Sequence, residues 1–158
     1  MSNAQQTILA ADLPAIGQPL AGGTFFARQW YGDSEYALVA LGADAEIEGE
    51  WGKYGKSIET NHGDGEANTR AMAEAGGELA AKVLALDAFI PSALESHQMM
   101  FAKQQDYLTD LDESEWYWTS TQRSADLAFL VYFTDGNQLS GVKILELRVR
   151  PVRRVLIQ

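Results

Sequence analysis

The hydrophobic and polar positions divide the chain into an early β-rich part, a middle helical part and a late β-rich part. Thr24–Gln29 and Tyr36–Leu41 are rich in β-formers and flank Gly32-Asp33-Ser34, a pattern that predicts a hairpin. From Asn68 to Leu86, the residues Met72, Ala75, Leu79, Val83 and Leu86 recur at spacings of three and four. That makes one apolar stripe and predicts a helix, weakened in its middle by Gly76-Gly77. A second helix is expected from Ser92 to about Gln104. Ser92 and Glu95 have the capping-box spacing, and Pro91 blocks extension backwards. From Trp116 the period changes again. Trp116–Thr121, Leu127–Thr134 and Leu145–Leu156 read as strands, with a turn at Asp135-Gly136-Asn137 and a partner strand at Leu139–Ile144.

Residues 1–23, with Pro14, Gly17, Pro19, Gly22 and Gly23, read as an N-terminal arm carrying a short helix or extended stretch around Thr7–Ala11. Residues 42–67 read as one long loop, with six glycines and the acids Asp44, Glu46, Glu48 and Glu50. The order of elements predicts an α+β domain over 24–158, with two helices packed on a twisted, mainly antiparallel sheet.

Composition narrows the function. At 158 residues the chain fits one domain, and its 46% hydrophobic and 22% charged residues are those of a globular protein. A net charge of −10 repels phosphate backbones, so nucleic acid is not an expected partner. With no cysteine there is no disulfide, thiolate zinc site or cysteine nucleophile. No stretch is long and apolar enough for a membrane helix, so no membrane insertion is expected.

Candidate chemistry is sparse. Gly55-Lys56-Ser57 has the ending of a phosphate-binding loop, but Glu50 stands where that loop needs glycine. Asn61, Asp64 and Glu66 lack EF-hand spacing and read as part of a solvated acidic loop. His62 and His97 form no zinc or base pattern, and no nucleophile elbow is present. No catalytic residue, metal or cofactor is therefore expected. The basic cluster Lys143, Arg148, Arg150, Arg153 and Arg154 reads mainly as partners for the chain's own 22 acids, with Arg148, Arg150 and Arg154 on one strand face. Trp116 and Trp118 read as core on a shared face, and Tyr117 and Tyr132 as surface aromatics.

Four short motifs carry a resemblance. Phe89-Ile90-Pro91-Ser92 with Glu95, then Tyr117-Trp118-Thr119-Ser120-Thr121, then Ala128-Phe129 through Phe133-Thr134-Asp135-Gly136, and finally Val149-Arg150-Pro151-Val152-Arg153-Arg154, stand in the order found in the Lcl C-terminal-domain family. The chain resembles that family over about residues 88–155, with departures at Ser96 and Ile90, where the pattern has an apolar residue and a leucine. The resemblance implies a C-type-lectin-like fold, and the single-domain form is similar to phage- and prophage-encoded members. It implies a non-enzymatic role in a virion assembled in the host cytoplasm, at a tail fibre or baseplate. The partner is then a host-surface receptor, glycan or protein, with a homo-oligomer expected, a trimer in related adhesins. The cysteine chemistry of the formylglycine-generating branch and the calcium triplets of animal lectins are missing.

The residues expected to carry binding are Gln122, Arg123, Asp126, Asn137, Gln138 and Ser140, polar positions on short loops held by strands, with Tyr117 and Tyr132 as aromatic contacts. Two other roles stay open. One is a structural decoration or adaptor protein, docked on neighbouring virion proteins through the arm. The other is an intracellular phage protein that binds and inhibits a host protein through the acids at 44–50 and 106–115.

Overall fold

The computed structural model describes residues 5–158, which form an α+β fold of three helices and two five-stranded mixed sheets. The first sheet has the order β1-β10-β4-β3-β2, built from β1 (Thr7–Ile8), β2 (Pro19–Leu20), β3 (Gly23–Tyr31), β4 (Ser34–Ala40) and β10 (Val152–Ile157). The second has the order β5-β9-β6-β7-β8, from β5 (Ile47–Glu50), β6 (Trp116–Gln122), β7 (Leu127–Tyr132), β8 (Asn137–Val142) and β9 (Glu146–Val149). Among the described residues, only β1 with β10 and β6 with β9 pair in parallel.

The β3–β4 hairpin forms as its alternation predicts. Its turn places Gly32 at φ +63°, a left-handed conformation open to glycine. The β7–β8 hairpin turns through 133–136 with Gly136 at φ +78°. The single helix expected from Asn68 to Leu86 is instead two, α1 (Gly65–Glu74) and α2 (Glu78–Leu84). The break falls at the glycine pair, where Gly76 takes φ +90° and ends the first apolar stripe. The third helix, α3 (Ala93–Gln104), starts at the expected capping box. Ser92 Oγ accepts from Glu95 N at 3.2 Å, and Glu95 Oε1 accepts from Ser92 N at 2.8 Å.

The strand expected over Leu145–Leu156 is split by Pro151, which has no N–H for a central ladder. β9 stays in the second sheet and β10 crosses to the first, so the Arg150-Pro151 step joins the two sheets. The loop expected over 42–67 also contains a strand, β5, paired with β9 about a hundred residues later.

The core lies in three parts. One, with Phe26, Leu38, Met99, Tyr117, Val131, Phe133 and Val152, lies where α3 meets both sheets. Another, with Trp51, Met72, Leu79, Val83, Trp118, Leu130 and Val149, lies between the second sheet and α1–α2. The third, with Phe25, Val39 and Val155, is on the outer side of the first sheet, where Ile8, Leu13 and Leu20 pack on it. Of the expected arm, residues 5–23 lie along that sheet, with Ala10 N donating to Gln158 O at 2.8 Å. Residues 1–4 of it lie outside the described residues.

Candidate binding surface

Most of the motif residues hold the scaffold together. The carboxylate of Glu95, 1% exposed, accepts from Gly65 N at 2.9 Å, from Ser92 N at 2.8 Å and from the Tyr31 hydroxyl. Two helix N-termini and a strand-end tyrosine thus share one carboxylate, whose charge suits the positive ends of α1 and α3. Burial pushes the Glu95 carboxyl above the usual range, against the pull of its hydrogen bonds, and pushes the Tyr31 hydroxyl up as well. The Arg154 guanidinium lies 4.4 Å from the Tyr31 ring centroid and pairs with Asp64 at 3.3 Å and Glu66 at 2.6 Å. Asp64 also caps α1, accepting from Ala67 N at 3.1 Å, while Asn61 Oδ1 accepts from Gly63 N and Asp64 N. The oxygens considered for calcium are engaged by the protein's own donors.

A second group is centred on Arg150, 1% exposed, at the joint between the sheets. Its Nη2 contacts Glu46 Oε2 at 2.7 Å and its Nη1 contacts Asp110 Oδ1 at 2.8 Å. Beside it, Arg148 pairs with Glu46 at 3.0 Å and Asp112 at 3.4 Å, and lies 3.7 Å from Glu48 and 3.6 Å from Glu115. Burial opposes the charge on Arg150, but the hydrogen bonds to Asp110 and Glu46 outweigh it and raise its pKa. For Arg148, Arg150 and Arg154, pairing with internal acids is as the sequence suggests, whereas Lys143 bonds to the oxygens of Lys56 and Gln122 instead. The shared face is not: Arg148 and Arg150 serve the second sheet's end, and Arg154 serves the first sheet and α1. Five carboxylates face these two guanidiniums, so the two acidic runs, 44–50 and 106–115, meet on one surface with three negative charges in excess.

The third group pins the long loop. Lys143, fully buried, donates from Nζ to Lys56 O at 2.8 Å and to Gln122 Oε1 at 2.7 Å, and lies 4.8 Å from the Trp51 ring centroid. Burial pushes its ammonium pKa down. Gln122 also accepts from Ile58 N at 3.0 Å and donates to Ile58 O at 3.1 Å, so its amide serves as a strap for residues 56–58. Trp51 Nε1 donates to Thr119 O at 2.8 Å and is 2% exposed, which places in the core a residue the sequence leaves in a loop.

The eight anticipated binding residues therefore divide. Tyr117 is not a surface residue. It is 1% exposed, its hydroxyl donates to Glu46 Oε2 at 2.6 Å and accepts from Asp112 N at 3.1 Å, and its ring packs edge-on against Phe133. It points to the α3 side because β6 is covered on both faces, by α3 on one and by α1–α2 on the other. Gln122 belongs to the strap. Gln138 is half-buried and donates to Ala93 O at 2.6 Å at the start of α3.

Arg123, beside the second half of β8, and Asn137, at its start, are exposed, while Ser140, Asp126 and Tyr132 are half-buried. Arg123 Nη1 donates to Ser140 Oγ at 2.8 Å, and Asn137 donates from N and Nδ2 to Asp135 at 3.0 and 2.9 Å. Tyr132 stacks on Trp116 with centroids 4.9 Å apart, and Trp116 is 37% exposed rather than core like Trp118. Rigid strands with exposed polar tips and a stacked aromatic pair form a surface suited to recognition. Among the described residues no group of three or more metal-ligating side chains converges, and no helix is long and apolar enough to cross a membrane. No protein-family model matches the chain, and no curated protein matches it.

Proposed function

We propose that this is a binding protein with a C-type-lectin-like fold, carried on a phage particle at a tail fibre or baseplate, where it takes part in host attachment without catalysis. The reading takes its fold name from the four motifs. It is supported by the N- and C-terminal strands lying side by side in one sheet while the polar rim sits on the other. The observation that carries it is the contrast between the motif residues and the polar positions beside them. The motif residues Glu95, Tyr117 and Arg150 are buried and fully used inside the scaffold, whereas Arg123 and Asn137, outside the motifs, face solvent, with half-buried Ser140 bonded to Arg123. Quantitative mass spectrometry of purified particles tests the proposal. A fixed copy number per particle is expected, and absence from particles overturns it.

A second reading has its own observation. The convergence of the two acidic runs around Arg148 makes a surface fitted to a basic protein, as an intracellular inhibitor of a host protein would need. Capture of one basic host protein by the wild type, lost in Glu48→Lys/Asp112→Lys and weakened by salt, would favour it over attachment.

A further inference from the structure

Two five-stranded sheets have four edges, and three of them are protected. β1 and β2 are two residues long, and β2 contains Pro19. β5 carries Glu48 and Glu50. Short strands, proline and charge all discourage pairing with another chain. β8 differs: Asn137–Val142 is six residues with no charge and no proline, hydrogen-bonded to β7 on one side and, among the described residues, to no strand on the other.

We propose that β8 is a self-association edge, where two copies of this chain pair antiparallel across a twofold axis. Three observations select a second copy as the occupant. The surface charge is segregated: the acidic group is centred on Arg148 of β9, with Glu48 on β5 and Asp112 and Glu115 on the loop into β6, and β8 is three strand positions from β9, about 14 Å at the usual strand spacing. Pairing through β8 thus keeps the two acidic surfaces apart despite the net charge of −10. The local charges are complementary in the antiparallel sense. Asp135 stands at the entrance to β8 and Arg123 bonds to Ser140 in its second half, so each Asp135 is carried toward the Arg123 of the other copy. The apolar side fits as well. Leu139, 48% exposed, shares a sheet face with Tyr132 and Trp116, and pairing brings the two Leu139 side chains together near the axis.

Strand pairing uses the backbone edge and leaves the side-chain faces open, so the two Arg123–Ser140 rims become one composite surface. This goes beyond the attachment reading and does not depend on it, because a mass is measured without any receptor. Identical edges pair isologously, which closes at two copies and not three.

Sedimentation equilibrium of the full chain across the micromolar range tests the pairing. The expected mass is twice 17.3 kDa, returning to 17.3 kDa in Asn137→Lys/Leu139→Lys, with an unchanged circular dichroism spectrum. Ser140→Lys, on the opposite face of the same strand, is expected to do the same and provides a second route should the double variant misfold. Amides 137–142 are expected to exchange more slowly at high concentration than at low. A monomer at every concentration, a trimer, or a dimer that survives in folded lysine variants overturns the proposal.

Discussion

Gly65 and Glu95 are in such close contact that a Cβ on Gly65 would overlap the Glu95 carboxylate, and would lie 2.5 Å from Ile90 O and 2.8 Å from Ser92 N. Inside a helix, replacing glycine with alanine ordinarily gains about 0.5–1 kcal/mol. Here the first residue of α1 sits against the start of α3, and its N–H must reach the carboxylate. Gly65→Ala is expected to destabilise by about 1–3 kcal/mol, read as a lower midpoint in urea unfolding.

The same carboxylate sets a pH dependence. Its folded-state pKa is raised by burial, so the stabilisation linked to its proton is complete below the ordinary value of 4.5 and is lost as pH rises through the raised one. The wild type is therefore expected to lose stability relative to Glu95→Gln over that window. Glutamine keeps an oxygen for the two backbone donors. Glu95→Ala leaves Gly65 N, Ser92 N and the Tyr31 hydroxyl without their acceptor, at a cost of at least about 3 kcal/mol. Urea midpoints across the acid range separate the three proteins.

Arg150 joins the sheets through two carboxylates reached by different nitrogens, a geometry a lysine cannot reproduce. Arg150→Ala leaves Glu46 facing the core without its main partner, and the expected loss is about 3–5 kcal/mol. Arg150→Lys is expected to fall between alanine and wild type in thermal unfolding.

Lys143 reverses the usual sign. It is a buried cation whose pKa is lowered, so the cost of holding its charge is present below the folded value and relieved as pH rises toward 10.5. The stability of the wild type minus that of Lys143→Met is expected to grow with pH in alkaline urea titrations. A constant difference would mean that the ammonium is not desolvated.

The elements legible from sequence are those specified by neighbours along the chain. The β3–β4 hairpin, the Ser92–Glu95 capping box and the β7–β8 turn each depend on a few adjacent residues. The chain also shows the glycine pair and Pro151, and both interrupt their elements more completely than periodicity suggests. β5 was hidden because its partner β9 is distant in sequence and its Ile-Glu-Gly-Glu pattern has little β character. The burial of Tyr117 is not legible for a related reason: alternation assigns opposite faces to neighbours, and β6 is covered on both. The excess of acids shows that the arginines find internal partners, but only the crossing of β9 into β10 decides that Arg150 takes Glu46 and Asp110 while Arg154 takes Asp64 and Glu66.

The most direct measurement of the central claim is the binding of labelled wild-type protein and Arg123→Ala/Asn137→Ala to intact host cells. Both side chains are exposed, so the double variant is expected to unfold within about 0.5 kcal/mol of wild type. Saturable wild-type binding, reduced at least about tenfold in the variant, a change of roughly 1.4 kcal/mol, is the predicted result. Equal binding by the two proteins, or no saturable binding by the wild type, would contradict it.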